Sequence, residues 1–406
     1  MPQPGRHREL RDAPRRRSPR RRRAFAVIES ARFVRSLTIL QAVTLSERGG
    51  AQRHVADLSA GLVRRGHRVH LACGGAGPLI DEARATGITV HPLRSLVRPI
   101  DPLRDAAAFA RLVSLIRALR PDVVHGHSSK AGLLARAAAR TYGVPSVFTA
   151  HGFVFLEPLG RSTRATYLAM ERLGGALGTR LIAVSDRDAE AAAGRRIARR
   201  DEITVIPNGY DPPRLPAPPP ASPPFRFAAI ANPYPTKGLD VLVAALGRPA
   251  LAGVPVDVVV AGDGPDRAVL ERRASGLPLR FLGRVTDVAS VLDSAHASVL
   301  PSRKEGWPYA VLESMGAARP VVATNVGGIP EQLDGNACGW IVEPGDADAL
   351  AAAIAEAAAD PIEAARRGRA GYERVRSTFT LDRMIDAVED EYGRALAARR
   401  RAGRSS

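Results

Sequence analysis

Two glutamates stand eight positions apart in the stretch SRKEGWPYAVLE, residues 302–313. Glu305 follows the apolar run ASVLPS, and Glu313 lies beyond Pro308, a residue suited to the first turn of a helix. We therefore expect Glu305 in a loop at a strand tip and Glu313 between one and two turns into the next helix. Ionised carboxylates only accept hydrogen bonds, so the pair suits a ligand with several hydroxyl groups.

The lysines form a second distinctive set. Of 59 Lys and Arg residues only three are Lys, and all three follow predicted strands: Lys130, Lys237 and Lys304. In a chain that otherwise uses Arg, a compact ammonium at these loops indicates a specific need, although chance is the alternative. Lys237 precedes a glycine and a helix and is a candidate phosphate ligand. Lys130 opposes a helix dipole, which suggests an anion nearby, unless it is simply a solvated surface residue.

Two further loops carry residues suited to an anionic, hydroxylated ligand. In SERGGAQ, Gly49 and Gly50 open a helix near Ala51, where backbone N–H groups could approach a phosphate, although a plain tight turn is equally consistent. The pattern is not GxGxxG, which disfavours a nicotinamide oxidoreductase. His151 directly follows the strand-like VFTA and could contact a substrate hydroxyl or act as a structural cap.

The other polar residues near helix starts are interpreted as caps. Ser128 or Ser129 would cap the helix that begins in HSSKAG. The DxD pairs in SDRDAEAAA and GDADALAAA also stand at helix starts, where Asp accepts hydrogen bonds from backbone N–H groups. We therefore predict no metal site from these pairs, which are Asp186 with Asp188 and Asp346 with Asp348.

The elements that must position these residues alternate between short strands and amphipathic helices. The alternation begins at LTILQAV, pauses at the Pro-rich LPAPPPASPPF, and restarts at RFAAIAN. This predicts an α/β chain with two Rossmann-like, doubly wound domains facing across a cleft. The predicted parts are a basic disordered tail at 1–35, domains at 36–210 and 225–378, a linker at 211–224, and a C-terminal helix and basic tail at 379–406.

Ligands of such sheets bind beyond the carboxyl ends of the strands, which is where the loops above lie. The two glutamates could instead be the acid and nucleophile of a glycosidase. The doubly wound setting and the phosphate-friendly loops disfavour that alternative.

Composition limits the class of protein further. The 406 residues carry a net charge of +18, of which residues 1–35 contribute +9, so anionic partners are favoured. The tail is either plain disorder or a tether to anionic lipid, while nucleic-acid binding rests on charge alone. Two distant cysteines, Cys73 and Cys338, exclude a disulfide framework and suit a reducing cytosol. No apolar run approaches 18 residues, so we expect no membrane span.

Taken together, these motifs resemble glycosyltransferase family 4, a family of retaining enzymes with the GT-B fold. The resemblance covers roughly residues 37–390, and its HSSKAGLLARAAA and TAHGF segments are similar to the bacterial branch that builds capsular and exopolysaccharide. Glu305 to Glu313 looks like the E-x7-E element of that family. The other matching segments are SERGGAQRHV, LIAVSD, VIPNGYD, TKGLDVLVAAL, VVVAGDGPDR and PVVATNVGGIPE.

The resemblance implies roles for these residues. Glu313 would bind the ribose of a nucleotide-sugar donor, Glu305 would lie close to the donor sugar, and His151 would contact the sugar or help place the acceptor. Lys237 would hold the diphosphate, opposite the N–H groups of the glycine pair in the first loop. The implied sites also include, on the donor side, Gly262, Gly264, Arg284, Lys304 and Gly306, and, on the acceptor side, His127, Ser129 and Lys130.

One position departs from the family pattern. Many members have Arg five residues before the motif Lys, and here that position is Asn232. The diphosphate would lose a bidentate cationic partner, for which Arg303 or Lys304 could substitute.

The implied reaction moves a sugar from a UDP- or GDP-type nucleotide sugar to a saccharide acceptor, with retention at the anomeric carbon and without a metal or cofactor. The acceptor would be lipid-linked, which places the enzyme in the cytoplasm, with the basic N-terminus as an option for peripheral attachment to the inner membrane face. A GT-B nucleotide-sugar 2-epimerase is the main alternative, and a nucleic-acid-binding protein is less favoured. We expect no nucleic-acid partner.

Overall fold

The computed structural model describes residues 35–221 and 223–402. The predicted basic tail at 1–35 therefore lies outside the described residues except for Arg35, as do residues 403–406 at the other end. Among the described residues, no helix is both long enough and apolar enough to cross a bilayer.

The first sheet is built from parallel strands that are covered by helices on both faces. Its seven strands, counted over the described residues, follow the order β3-β2-β1-β4-β5-β6-β7. They are β1 (Thr38–Leu45), β2 (Arg68–Gly74), β3 (Thr89–Pro92), β4 (Val123–His127), β5 (Ser146–Ala150), β6 (Arg180–Ala183) and β7 (Ile203–Val205). The connecting helices are α1 (Gly50–Arg64), α2 (Leu79–Ala85), α3 (Pro102–Leu119), α4 (Ser129–Thr141), α5 (Arg161–Leu177) and α6 (Asp186–Gly194).

The second sheet repeats this plan after the Pro-rich segment. Its six strands within the described residues follow the order β10-β9-β8-β11-β12-β13. They are β8 (Phe225–Ile230), β9 (Val256–Ala261), β10 (Leu279–Gly283), β11 (Ala297–Leu300), β12 (Val321–Thr324) and β13 (Gly339–Val342). The helices are α7 (Leu239–Leu246), α8 (Arg267–Arg273), α9 (Val288–Asp293), α10 (Tyr309–Gly316), α11 (Ile329–Gln332), α12 (Ala347–Ala359) and α13 (Pro361–Thr378).

Both sheets are doubly wound, which confirms the predicted fold class. The chain runs outward from β1 to β3 and then returns to the other side of β1 at β4, and it does the same around β8 and β11. Such a reversal opens a crevice beyond the carboxyl ends of the two strands where it occurs, and ligands bind there. The loops after β1, β4, β8 and β11 are therefore the positions from which side chains can reach a ligand.

The last helix, α14 (Leu381–Ala402), returns to the first domain after the second domain is complete. Its apolar residues Ile385, Val388 and Tyr392 are fully buried in one core with residues of α1 and β1. The Tyr392 hydroxyl accepts a hydrogen bond from Gln41 Nε2 (3.2 Å) and contacts His125 Nδ1 at 2.8 Å, both inside the first sheet. The C-terminal helix is thus part of the core of the N-terminal domain.

The hydroxyl of Tyr392 should therefore contribute to stability. Tyr392→Phe leaves two buried polar groups with fewer partners, so we expect the free energy of unfolding to fall by about 1–3 kcal/mol. Tyr142→Phe, at a tyrosine that is 43% exposed, is the matched control and should change it by less than about 0.5 kcal/mol. Denaturant melts of the three proteins measure the difference, and equal stabilities would contradict the role given to this hydroxyl.

Candidate functional site

Lys237 and Glu305 meet at the reversal point of the second sheet. Glu305 Oε1 accepts hydrogen bonds from Lys237 Nζ and from Ser302 Oγ, each at 2.7 Å. Between Lys237 and α7, Gly238 has φ +64°, and a Cβ there would stand 2.0 Å from the carbonyl oxygen of Pro301. Only glycine permits this close approach, which sets the lysine beside the loop that carries Glu305.

Glu313 lies in the second turn of α10, as predicted, and faces a helix of the other domain. Its Oε1 is 3.8 Å from the Arg53 guanidinium of α1, which is itself held by Asp57 through a 2.6 Å hydrogen bond from Nε. Burial raises the pKa of Glu313 to about 7; Arg53 lowers that pKa and Asp57 raises it. The carboxyl is therefore close to half-ionised near neutral pH, because the effect of burial outweighs the attraction of Arg53, which is 3.8 Å away and is shared with Asp57.

A cavity of about 290 Å³ opens beside Glu313. Its walls come from Arg53, the chain segment 210–216 and the segment 286–289 that leads into α9. The volume is at the lower end of small-molecule sites, which span roughly 300–1,000 Å³. The space suits one nucleoside rather than a whole nucleotide sugar, with the carboxylate of Glu313 at its edge.

The N-terminus of α1 stands across from α10. Gly49 is the N-cap with an extended backbone, and the first turn of α1 contains no acidic residue. A Cβ on Gly50 would be 3.9 Å from the ring of Tyr309 in α10, so the glycine turn directly faces the second domain. The predicted turn and helix start are confirmed. The free N–H groups and the helix dipole make this end favourable for an anion.

His151 follows β5 directly, as predicted, and belongs to a group of imidazoles. His127 at the end of β4 contacts it through an Nδ1 to Nε2 distance of 3.1 Å, and the His54 ring from α1 lies 4.6 Å from the His151 ring, centroid to centroid. The His125 and His127 rings lie 4.2 Å apart, centroid to centroid, with a tilt of 33° between their planes. Burial lowers the pKa of His54 to about 4 and those of His125, His127 and His151 well below the ordinary value, so all four rings are neutral at pH 7.

The hydrogen bonds of this group assign its tautomers. His127 Nε2 lies 2.8 Å from Gln41 Oε1, an acceptor, so Nε2 carries the proton and Nδ1 a lone pair. His54 Nδ1 lies 3.0 Å from Asn208 Oδ1, whose amide nitrogen donates to the Trp307 carbonyl oxygen, so the free lone pair is on Nε2. His151 Nε2 is then the donor to His127.

Two glycines bring His151 to the loop that carries Glu305. Gly152 has φ +94°, and a Cβ there would stand 3.2 Å from the Gly306 backbone; a Cβ on Gly306 would stand 2.6 Å from the His151 carbonyl oxygen. The two domains touch through bare backbone at this point. His151 and Glu305 therefore lie on opposite sides of the backbone contact between Gly152 and Gly306.

The edge formed by β8, β9 and β10 carries the remaining donor-side candidates. Asn232 Oδ1 accepts from the Asp263 N–H (3.2 Å), and Gly262 donates its N–H to the Gly283 carbonyl oxygen (2.8 Å). A Cβ on Gly264 would lie 2.7 Å from the Pro233 carbonyl oxygen, so these loops pack backbone against backbone. Arg284 follows β10, is exposed, and has no hydrogen bond or ion pair within residues 35–221 and 223–402.

The predicted role of Lys130 is not supported by its surroundings. Its side chain is 8% exposed and forms an ion pair with Asp105 of α3 at 2.5 Å, with a second hydrogen bond to the Pro99 carbonyl. The anion that its position suggested is thus a structural partner, and the ammonium is not available to an acceptor. Ser129, beside it, lies in the first turn of α4 close to Glu171.

The two candidates to replace an arginine at position 232 are also engaged elsewhere. Arg303 forms two 2.6 Å hydrogen bonds with Asp240, and Lys304 Nζ lies 3.3 Å from Glu157 and from the Gly152 carbonyl. Lys304 therefore joins the two domains. Of the predicted donor-side cations, Arg284 alone among the described residues is left unpaired.

The predicted helix cap is confirmed for α12 and is wrong for α6 and α4. Asp346 accepts from the Ala349 N–H as the N-cap of α12. In α6 the cap is Ser185, whose hydroxyl accepts from the Asp188 N–H, so the aspartates fill the first turn instead. Ser128 occupies the N-cap position of α4, but its hydroxyl pairs with Thr44 (2.7 Å) and caps nothing.

Sequence reasoning missed the residues that complete the site from the first domain. Arg53 and His54 lie one turn after the glycine pair in SERGGAQRHV, and Asn208 lies in VIPNGYD. Each stands in a segment that carried the family resemblance, which was the signal available. Which of them faces the cleft depends on the angle between α1 and the sheet, and no sequence pattern supplies it.

Two family models match the chain, one on each domain. The first, described as Glycosyltransferase Family 4, matches residues 48–214, and the second, Glycosyl transferases group 1, matches residues 224–360. Together they cover most of both domains and the candidate site residues from Gly49 to Glu313.

Similar proteins agree with the family models. The UDP-Gal:alpha-D-GlcNAc-diphosphoundecaprenol alpha-1,3-galactosyltransferase of Escherichia coli is 27% identical over 80% of this chain and 88% of its own length. The glycogen synthase of Mycobacterium tuberculosis is 31% identical over 70% of each chain. The crystal structure of Anabaena Alr3699/HepE in complex with UDP and glucose, at 20% identity, covers 87% of this chain and 98% of that one with a TM-score of 0.74, which establishes the GT-B fold. The chain belongs to the family 4 glycosyltransferases.

Proposed function

We propose that this glycosyltransferase moves a hexose from a nucleotide diphosphate sugar to a saccharide acceptor, with retention at the anomeric carbon. The observation that carries the proposal is the Lys237–Glu305 pair beside a cavity edged by Glu313, opposite the N-terminus of α1. This arrangement offers a cation and free N–H groups for a diphosphate, and carboxylates for hydroxyl groups on either side of it.

The nucleoside would occupy the cavity beside Glu313. The carboxylate accepts hydrogen bonds from the ribose hydroxyls, and the backbone of segment 286–289 lies against the base. Uridine is the favoured nucleoside because the Anabaena structure and the Escherichia coli enzyme are both named with UDP or a UDP sugar. The diphosphate then extends past Lys237, with Arg284 as the available second cation in place of the family arginine that is Asn232 here.

The sugar would lie between His151 and the loop of Glu305. As the carbon–oxygen bond to the diphosphate breaks, negative charge grows on the leaving oxygen, and Lys237 and the N–H groups of Gly49 and Gly50 stabilise it. In the absence of donor, Glu305 neutralises Lys237; binding of the diphosphate competes for that ammonium. This chemistry requires no metal ion, so chelation with EDTA should leave the rate unchanged.

The acceptor would enter from the first domain. A lipid-linked saccharide is favoured because the Escherichia coli relative is named for a diphosphoundecaprenol acceptor. Synthesis of a cell-surface polysaccharide and attachment to an anionic membrane through residues 1–35 belong to the same proposal. The 2-epimerase alternative is not favoured, since the similar proteins are named as transferases and synthases.

A panel of donors tests the proposal directly. UDP-glucose, UDP-galactose, UDP-N-acetylglucosamine and GDP-mannose are each added to the protein, and thermal unfolding is followed. Saturating donor at about 100 times its Kd should add about 2.7 kcal/mol to the free energy of unfolding. Stabilisation by a UDP sugar, followed by sugar transfer to a lipid-linked acceptor, is expected. Donor consumption without any acceptor would instead identify an epimerase or hydrolase.

Lys237 and Lys130 should respond differently to the same substitution. Lys237→Met removes charge stabilisation of the leaving group and should lower kcat by roughly 100- to 1,000-fold. Lys130→Met leaves Asp105 unpaired in a mostly buried place and should lower the free energy of unfolding by roughly 2–4 kcal/mol. Steady-state kinetics and denaturant melts on both variants separate the two roles; near wild-type kcat in Lys237→Met would refute its assignment.

Donor affinity should depend on pH through Glu313. Its pKa of about 7 in the folded protein lies above the ordinary value near 4.5, so the carboxylate forms, and donor binding strengthens, as pH rises through 7. The same shift means that stability falls as pH rises from about 4.5 to about 7, because the unfolded chain releases this proton at the lower pH. We expect the affinity for a UDP sugar, whose phosphates do not titrate in this range, to rise between about pH 6 and pH 8.

The control separates Glu313 from a second carboxyl whose pKa lies in the same range. Burial also raises the pKa of Glu331 to about 7, where it accepts from the Asp186 backbone N–H. Glu331→Gln should keep the pH dependence of UDP-sugar binding, and Glu313→Gln should abolish it. Calorimetric titrations at several pH values measure both, and the opposite pattern would move the assignment to Glu331.

A further inference from the structure

The three imidazoles of His54, His127 and His151 converge on one point between α1, β4 and β5. One ring nitrogen from each lies within 4.8 Å of the others. His54 lies in α1, His127 at the end of β4, and His151 in the loop directly after β5. His54 and His127 are buried, and His151 is partly exposed.

The hydrogen bonds around the group leave two ring nitrogens with unpartnered lone pairs. His54 Nε2 and His151 Nδ1 are buried without any partner among the described residues. The His127 Nδ1 lone pair accepts only from the neighbouring imidazole. A buried polar atom without a partner costs roughly 1–3 kcal/mol, and nothing in the core of the fold requires this cost.

The outward nitrogens are held as they are in metal sites of proteins. Ligand histidines almost always donate their second N–H to an amide, a carboxylate or a backbone carbonyl, which orients the ring. Here Gln41 does this for His127 and Asn208 does it for His54, at 2.8 and 3.0 Å. Zinc–nitrogen bonds of about 2.0–2.1 Å place two ligand nitrogens about 3.3 Å apart in a tetrahedral site. One ring nitrogen of each of the three histidines lies within 4.8 Å of the others, so small inward shifts of the rings reach that spacing.

We propose that His54, His127 and His151 bind a divalent transition-metal ion of the zinc class, and that this ion competes with the donor sugar for His151. Three neutral imidazoles and an open fourth position suit Zn²⁺, Co²⁺ or Ni²⁺, whereas Mg²⁺ prefers oxygen ligands. The competition rests on the proposed function, in which His151 contacts the sugar. Metal binding itself does not, since it needs no substrate.

Metal titration of the full chain without an affinity tag tests the site. Zinc chloride, followed by calorimetry and by competition with a chromophoric chelator, should bind at one tight site per chain, and Mg²⁺ should not bind. His54→Gln should lower zinc affinity at least tenfold. The matched control is His70→Gln, which removes one ring of the partly buried His70–His91 pair, also 3.1 Å apart, and should leave the affinity unchanged.

A second variant and a cobalt spectrum distinguish loss of the metal site from misfolding of the variant. Asn208→Ala keeps all three imidazoles but frees the His54 ring, and it should lower zinc affinity by about 10- to 100-fold. Cobalt(II) should give the intense visible bands of a tetrahedral site in the wild type and lose them in His54→Gln. Zinc affinity that is the same in wild type, His54→Gln and Asn208→Ala would overturn the site.

The competition is measured separately. Zinc should raise the apparent Kd of a UDP sugar in proportion to its concentration in the wild type and have no effect in His54→Gln. Zinc binding at the site with an unchanged donor Kd would overturn the competition. A protein that binds zinc but transfers no sugar would refute the proposed function and leave the metal site standing.

Discussion

The parallel arrangement of strands is the constraint on which the rest of this structure depends. Parallel strands place all their carboxyl ends at one edge of a sheet, and each sheet here reverses its winding at a central strand. The loops after β5 and β11 meet through the bare backbone of Gly152 and Gly306, so the two edges face one another. The ion pairs between the two domains, Arg53 with Glu313 and Lys304 with Glu157, form because these two sheet edges face one another.

A polar network inside the first sheet is the second organising feature. Gln41 and His125 are fully buried on central strands, and both are joined to Tyr392 of the last helix. Buried polar groups of this kind are tolerable only with partners, so the network ties the C-terminal helix to the strands beneath the site. The first domain cannot complete its core until the second domain has been made, because α14 comes last in the chain.

Much of the fold and part of the site follow from local sequence. The alternation of short apolar runs and amphipathic helices predicted two doubly wound domains, and Pro308 and the apolar run after it correctly put Glu313 inside a helix. The predictions for individual side chains failed where a residue distant in the sequence was the actual partner. Lys130 was expected to face a ligand and faces Asp105, and Ser128 was expected to cap a helix and pairs with Thr44. Those partners are 25 and 84 positions away, and no local pattern reports such distances.

The sequence by itself determined which residues stand at strand ends and helix starts, because hydrophobic periodicity and glycine or proline positions act over a few neighbours. It therefore identified Lys237, Glu305, Glu313 and His151 as candidates. Only the tertiary structure decided that Lys237 pairs with Glu305, that Arg53 reaches Glu313, and that three histidines from distant segments share one point. Those pairings depend on how helices cross sheets and how the two domains meet, which are properties of packing between elements.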